Sequence, residues 1–135
     1  MSIDPITFSK IKSPTAPPVA MYEYLQVQAT VINFTSTPML ITGSDLSWGK
    51  WMQSPVDVEP QNSIAFGSQG REDSPSGTTG WAEWKIGTAK ITVKFDCPLH
   101  GSNSQSITCD SASFVVSATG TGGDVNRITF VIKPV

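Results

Sequence analysis

Short runs of alternating apolar and polar residues recur along most of this chain, and turn-forming residues separate one run from the next. The clearest run covers residues 24–34, in which Leu25, Val27, Ala29 and Val31 share one side. Side chains that alternate with a period of two are typical of a half-buried β-strand, because successive strand residues point to opposite faces. No run shows the period of a helix of two or more turns. The pattern therefore predicts an all-β protein.

The remaining runs predict a series of short strands. They cover residues 39–42, 46–52, 56–59, 62–68, 81–86, 89–96, 105–109, 113–118 and 127–133. A bend is expected at residues 43–45, and Gly87-Thr88 between two runs indicates a β-hairpin. About nine short strands at regular spacing are typical of an antiparallel β-sandwich of two sheets.

The chain has 135 residues, which suits one domain with a single core. The sandwich is predicted to cover residues 21–135. Residues 1–20 contain four prolines and no sustained alternation, so they are predicted to form an extended N-terminal extension. The sequence opens without the basic and apolar segments of a signal peptide, and no apolar run approaches the roughly 18 residues of a membrane-spanning helix. We therefore expect a protein that is soluble as made.

The charge pattern limits the partners that this chain can bind by electrostatic attraction. The net charge is −2, and no run of lysine or arginine is present. A nucleic-acid-binding protein needs a basic stripe to neutralise phosphates, so nucleic acid is not an expected partner. The same argument disfavours docking on anionic lipid, and a membrane target is therefore expected to present a neutral or zwitterionic headgroup.

Few residues suit catalysis or metal binding. The only histidine, His100, lies near Cys97, but no third group that would orient such a pair is indicated, and the spacing of His100, Cys97 and Cys109 is not that of a zinc site. Cys97 and Cys109 either form a disulfide or remain two thiols, and the missing signal peptide favours two thiols. The chain is predicted not to be an enzyme, and no cofactor is expected.

The aromatic and charged residues indicate a binding surface. Tryptophan suits a membrane–water interface or a quaternary ammonium ligand, since it has an apolar ring and one polar atom. Of the four tryptophans, Trp48, Trp51, Trp81 and Trp84, about two are expected in the core and two at a binding surface. Arg71, Glu72 and Asp73 form a charged turn that is either a solvated loop or a contact for a lipid headgroup.

Several short motifs resemble those of the aegerolysin family. They are Gly70-Arg71-Glu72-Asp73, then Gly77-Thr78-Thr79-Gly80, then Asp96-Cys97-Pro98 with Gly101-Ser102 close behind, and upstream Ser47-Trp48-Gly49-Lys50. Their order and spacing match, and the resemblance runs from about Tyr24 to the C-terminus. Trp48 corresponds to a lipid-contact tryptophan of the family. Leu99 and His100 follow Asp96-Cys97-Pro98, where fungal members have a second tryptophan, and Ser76 stands where they have an acidic residue.

The resemblance implies a β-sandwich that binds membrane lipid of the zwitterionic sphingolipid type, or a cell-surface receptor. It also implies a cytolytic or insecticidal role at the target-cell membrane, after release from the producing cell, with a larger partner protein that forms the pore. Homo-oligomers are left open. The predicted lipid- or receptor-binding residues are Trp48, Lys50, Trp51, Arg71, Glu72, Asp73, Trp81, Trp84, Leu99 and His100.

Two other functions are compatible with the sequence. Exposed tryptophans on a sandwich also suit stacking on sugar rings, which would make the chain a lectin-like carbohydrate-binding module. A hydrolase would need two carboxylates facing each other across a cleft, and no such pair stands out among the acidic residues.

Overall fold

The computed structural model of this chain describes residues 22–73 and 75–135. The predicted extension at residues 1–20 lies outside the described residues. A 3-10 turn, Tyr22–Tyr24, is followed by nine strands: β1 Gln26–Asn33, β2 Met39–Trp48, β3 Lys50–Gln53, β4 Asn62–Gln69, β5 Thr78–Ile86, β6 Ala89–Cys97, β7 Ser104–Cys109, β8 Phe114–Thr119 and β9 Val125–Pro134. In this described part, no helix has the length and apolar character needed to span a membrane.

The strands form two sheets, which confirms the predicted β-sandwich. One sheet has five strands in the order β3-β4-β1-β9-β8, and the other has four in the order β2-β5-β6-β7. Neighbouring strands are antiparallel except β1 and β9, which run parallel and pair Gln26 with Val125 at one end and Asn33 with Ile132 at the other. The predicted hairpin is β5 and β6, which turn at Gly87-Thr88.

Two predictions for the segment between Met39 and Glu59 are wrong. The bend expected at residues 43–45 lies inside β2, which continues to Trp48 by means of two bulges, after Ile41 and after Leu46. A bulge adds one residue to a strand and lets the strand continue, so a glycine there does not end it. The strand expected at residues 56–59 is only an isolated bridge between Met39 and Val58.

The core lies between the two sheets. Val27, Phe66 and Phe130 of the five-stranded sheet meet Trp84 and Ile91 of the four-stranded sheet, and all five side chains are fully buried. The rings of Phe66 and Trp84 are centred 6.4 Å apart, and those of Phe66 and Phe130 stack at the same distance.

The outer side of β1 differs from the half-exposed face that alternation predicts. Gln26 and Gln28 are both buried. Gln28 Nε2 donates to Gln26 Oε1 at 2.9 Å, and Gln26 Nε2 donates to the Glu23 carbonyl at 3.1 Å. Arg127 donates to Gln28 Oε1 at 2.6 Å. These amides tolerate burial in a central strand because they satisfy one another's hydrogen bonds.

The connections that carry half of the predicted site residues gather at one end of the sandwich, which we call the loop end. It consists of residues 22–25, Gly49 and residues 70–73, 75–77, 98–103 and 120–124. Hydrogen bonds join these segments: Gly70 N donates to the Leu25 carbonyl, and Gln26 N to the Asp124 carbonyl, both at 2.9 Å.

Candidate functional site

The Gly-Thr-Thr-Gly motif, residues 77–80, joins the loop end to β5. A Cβ atom on Gly77 would overlap the Cys97 carbonyl oxygen, and one on Gly80 would collide with the Asp45 carbonyl oxygen. The Thr78 hydroxyl shares a hydrogen bond of 2.6 Å with Ser68 Oγ, and the Thr79 hydroxyl donates to Asp96 Oδ1. The glycines therefore allow close packing of neighbouring strands, and the threonines bridge to those strands.

Trp48 ends β2 beside this motif and is 57% exposed. It lies opposite Thr79, and its carbonyl oxygen accepts a hydrogen bond from the Thr78 hydroxyl at 3.3 Å. Its neighbour Lys50 begins β3 and forms an ion pair of 2.7 Å with Glu23. The backbone of Trp48 is thus anchored while its indole ring faces solvent.

Trp81 lies on the outer face of the four-stranded sheet and is 38% exposed. The end of its ring lies over Gly43, where a Cβ atom would be 3.1 Å from Trp81 Cη2. Beside it is a groove of about 470 Å³, which we call the Trp81 groove. It is lined by Ser47, Thr79, Gly80, Trp81, Lys94, Phe95, Asp96, Ser104, Gln105 and Ser106.

The Trp81 groove combines one aromatic ring with one cation, one anion and several hydroxyl groups. Lys94 lies opposite Trp81 on β6, and Asp96 lies opposite Thr79. A carboxylate and an indole ring can hold an ammonium group, while a lysine can hold a phosphate. The arrangement is chemically suited to a zwitterionic group.

The other two tryptophans belong to the core. Trp84 is fully buried and donates from Nε1 to the Val56 carbonyl at 2.8 Å. Trp51 packs its ring against Phe66 and Phe95, with centroids 6.3 and 6.0 Å apart. The prediction that Trp84 contributes to a binding surface is wrong, because its whole side chain is enclosed. Trp51 is half-buried and supports the core beneath β3.

The charged turn lies at the loop end and is open to solvent. Arg71, Glu72 and Asp73 are exposed, and Arg71 Nε lies 3.6 Å from Asp73 Oδ1. Gln69, two residues earlier, pairs with Lys50, so the turn and Trp48 belong to the same end of the molecule. An exposed pair at this distance adds little stability, and the turn is free to contact a ligand.

A second cavity, of about 530 Å³, lies between the loops at residues 98–103 and 120–124. Leu99 lines it and packs partly on the core, whereas His100 is exposed. Asn103 Nδ2 ties the two loops together by donating to the carbonyls of Thr121 at 2.8 Å and Gly123 at 3.0 Å.

The side chain of Asn126 connects the segments that surround this cavity. It is fully buried, and its Nδ2 donates to the Asp96 carbonyl at 3.0 Å and to Gln105 Oε1 at 3.1 Å. Its Oδ1 accepts from Thr121 N at 3.0 Å. One amide thus couples the end of β6, the start of β7 and the glycine-rich loop.

Cys97 and Cys109 are both free thiols, which is the alternative that the sequence favoured over a disulfide. Cys109 lies opposite Ile91, six residues along β6 from Cys97, which corresponds to about 20 Å. A disulfide needs Cα atoms roughly 4.4 to 6.8 Å apart. Cys97 is buried with its Sγ 3.3 Å from the Asp124 carbonyl, and burial raises the pKa of the thiol.

The structure therefore brings Trp48, Lys50 and the charged turn to the loop end and places Trp81 on the adjoining sheet face. The groove residues Lys94, Ser104 and Ser106 were missed as site residues. Their signal was the outward half of the alternation in β6 and β7, but such positions are polar in most sheets and do not by themselves mark a site.

Comparison with known proteins identifies the family. The sequence profile of the aegerolysins matches residues 24–133. The chain belongs to the aegerolysin family. It is similar to Asp-hemolysin of Aspergillus fumigatus, with 37% identity over 87 residues, and the match covers 53% of this chain and 63% of that protein.

Solved structures agree with the fold of this aegerolysin. The RahU protein, in complex with TRIS, has a TM-score of 0.74 at 22% identity, covering 84% of this chain and 97% of that one. IP-1A from Alcaligenes faecalis has a TM-score of 0.71 at 22% identity, covering 84% and 93%. The lipid binding protein Nakanori has a TM-score of 0.74 at 8% identity, covering 96% and 78%.

Proposed function

We propose that this aegerolysin is a membrane-targeting component of a cytolytic or insecticidal system. The observation that carries the proposal is the exposure of two tryptophans, Trp48 and Trp81, on neighbouring strands at and beside the loop end. Exposed tryptophans are costly in water and favourable at a membrane interface. Family membership and the lipid-binding and hemolytic names of similar proteins support the same role.

The ligand proposed is a lipid with a zwitterionic headgroup, such as a sphingolipid with phosphocholine or phosphoethanolamine. Trp48 would enter the interface, and the headgroup would lie in the Trp81 groove, with Lys94 towards its phosphate and Asp96 towards its ammonium group. Arg71 at the loop end would contact a further phosphate oxygen. A cell-surface receptor that presents the same chemistry is the alternative target.

We propose that perforation of the membrane is carried out by a larger partner protein. The nine strands of this chain are all engaged in the two sheets of one sandwich. A strand could line a pore only if it left its sheet. The chain would therefore attach to the membrane and recruit the partner there.

Sedimentation with liposomes tests this function. The vesicles would contain phosphatidylcholine alone, with sphingomyelin and cholesterol, or with ceramide phosphoethanolamine. We expect binding to one sphingolipid mixture, and we expect Trp48→Ala to weaken it roughly tenfold, equivalent to about 1.4 kcal/mol, because an interfacial ring is lost. Phe34→Ala is the matched control, since Phe34 is 47% exposed at the opposite end.

Three outcomes would count against the proposal. Absence of binding to every mixture would direct the search to a protein or glycan receptor. Unchanged binding by folded Trp48→Ala would remove Trp48 from the site. If the same vesicles carry a dye, release of the dye by this chain alone would show that no partner is needed.

A carbohydrate-binding module is the second candidate. The observation that favours it is the lining of the Trp81 groove, where one ring adjoins the hydroxyls of Ser47, Ser104 and Ser106. A sugar ring can stack on an indole and bond to such hydroxyls. Binding to a glycan array without binding to any of the liposomes would favour this function.

A further inference from the structure

Two sheet edges lie side by side on one flank of the sandwich. β7 is the last strand of the four-stranded sheet, and β8 is the last strand of the five-stranded sheet. Residues 110–113 join them directly, so both edges belong to the same flank. In the described part of the chain, neither strand has a neighbour on its outer edge.

This flank lacks the features that normally protect an edge. The twelve residues of β7 and β8 include no charged residue, no proline and no glycine, and both strands keep a regular register. Asp110 is the only charged residue between positions 101 and 123, in a chain with 15% charged residues. Natural proteins usually protect such edges with charges, prolines or bulges, because bare edges pair with other chains.

The opposite flank has these features. β2 carries two bulges, Asp57 Oδ1 accepts from Ile41 N at 2.8 Å, and Val58 bridges to Met39. β3 has only four residues, begins with Lys50 and has an irregular register. The two flanks of the sandwich therefore differ, because only the β7 and β8 edges lack these protecting features.

An apolar seam runs between the two open edges. It consists of Ile107, Cys109, Phe114, Val116 and Ala118, which pack on the core but stay partly exposed. Val115 adds a 48% exposed apolar side chain on the outer face of β8. A contiguous, partly exposed apolar strip is typical of an interface.

The backbone orientation of β8 follows from one hydrogen bond. Val135 N donates to the Ser113 carbonyl, so positions 113, 115, 117 and 119 bond to β9. Backbone groups alternate along an antiparallel strand, so those of Phe114, Val116 and Ala118 point to the open edge.

The same reasoning applies to β7. Asp110 N donates to the Lys90 carbonyl, which directs the backbone groups of Gln105, Ile107 and Cys109 outward. Ile107 is three residues before Asp110, and Val116 is three residues after Ser113, so the two positions stand at matching heights on the flank.

We propose that a second copy of this chain pairs with both edges around one two-fold axis. The axis would run midway between Ile107 and its counterpart in the second copy, and midway between Val116 and its counterpart. In this arrangement β7 pairs antiparallel with β7 of the second copy, and β8 with β8. In this register residue 116 meets residue 116, and 114 meets 118. Every outward backbone group then meets a partner, and the apolar seams of the two copies cover each other.

Charge and symmetry favour a second copy over another occupant. Each chain carries a net charge of −2, yet the seam itself is neutral, so two copies meet here without repulsion. A two-fold interface requires that each surface complement itself, and an antiparallel pair centred on one residue meets this requirement.

Light scattering after size exclusion tests the proposal on the full chain. We expect the mass to rise with concentration from 14.4 kDa towards twice that value. The double variant Val115→Lys with Ser117→Lys should remain at 14.4 kDa, because residues 115 and 117 face each other across the pair and the new charges repel. Leu40→Lys with Thr88→Lys adds equal charge at exposed positions elsewhere and should dimerise like the parent.

A cross-link provides a second measurement that does not depend on the lysine variants. Residues 115 and 117 of the two copies would form a non-hydrogen-bonded pair, whose Cβ spacing suits a disulfide. The variant Val115→Cys with Ser117→Cys should therefore give a dimer band on oxidation, whereas the parent chain and Ser117→Cys alone should not.

Two results would overturn the proposal. The first is that the mass of the full chain stays at 14.4 kDa up to a concentration of about 1 mM. In that case the open edges would not bind a second copy. The other is a folded lysine double variant that dimerises as well as the parent, which would locate the interface elsewhere. Lipid binding does not enter these measurements, so they stand apart from the test of the proposed function.

Discussion

Single residues decide how closely the strands of this aegerolysin approach each other at the loop end. The Gly-Thr-Thr-Gly motif can be found in the sequence, but its role there is ambiguous between ligand contact and packing. In the structure Gly77 and Gly80 both face backbone carbonyl oxygens of neighbouring segments. The motif therefore supports the site by architecture, and its threonine hydroxyls are already bonded within the protein.

Replacing Gly77 by alanine should destabilise the fold. The added methyl group would overlap the Cys97 carbonyl oxygen, and backbone cannot move aside as a flexible side chain can. We expect the free energy of unfolding to fall by roughly 2 to 3 kcal/mol in urea titrations. Gly122→Ala is the control, because no atom lies near its added Cβ. Equal stability of the two variants would contradict the packing role.

The thiol of Cys97 should make stability depend on pH in the alkaline range. Burial raises its pKa above the ordinary value of 9.0 in the folded state. Between the unfolded and folded pKa values, the unfolded chain has lost a proton that the folded chain keeps, so the free energy of unfolding falls as pH rises. Below about pH 9 this group leaves stability unchanged.

Urea titrations from pH 7 to pH 10 would measure this effect. The parent should lose more stability over this range than Cys97→Ala, while Cys109→Ala controls for removal of a thiol. If the parent and Cys97→Ala lose the same amount, the thiolate is tolerated in the folded state and the prediction fails.

At the scale of strands, alternation in the sequence predicts most of the sandwich. It correctly indicates β1, β4, β6 and the β5–β6 hairpin, because each has a clean period of two. Alternation fails to predict β2, because two bulges shift its period. The single strand β2 was therefore predicted as a short strand, a bend and the beginning of a second strand. Alternation also cannot show that residues 56–59 cover an edge, since that depends on Asp57 reaching Ile41.

Some residues of the candidate site can be predicted from the sequence, whereas others become evident only from the arrangement of the strands. Trp48 and the charged turn could be found from motifs and turn chemistry. Trp81 and Trp84 were both predicted as site residues, although they stand three positions apart on β5 and so point to opposite faces. Trp84 shares the buried face with the apolar Ala82 and Ile86, whereas Trp81 shares the outer face with two charged residues. The Trp81 groove combines residues from β2, β5, β6 and β7, and no local pattern predicts that combination.

At the scale of the whole molecule, the proposed pairing determines where the lipid sites face. β8 runs towards the loop end, so two antiparallel copies point their loop ends in opposite directions. Such a dimer can attach to two vesicles at once. We therefore expect the parent chain to raise the turbidity of a suspension of vesicles that it binds.

The lysine double variant at positions 115 and 117 makes this prediction specific. It should sediment with the vesicles as the parent does, because those residues lie on the open flank rather than at the loop end, yet turbidity should stay at the level of vesicles alone. If this variant raised the turbidity as much as the parent does, the vesicles would be bridged by something other than the proposed dimer.

The parallel pairing of β1 with β9 has a consequence for how the chain acquires its structure. Gln26 and Val125 are neighbours in the middle of the five-stranded sheet, although about a hundred positions separate them in the sequence. Contacts between such distant residues form late and slow folding. The strand that completes the sheet is the last of the nine to leave the ribosome. The sheet of this aegerolysin can therefore close only after β9 has been made, and until then the side of β1 that will pair with β9 is exposed to other molecules in solution.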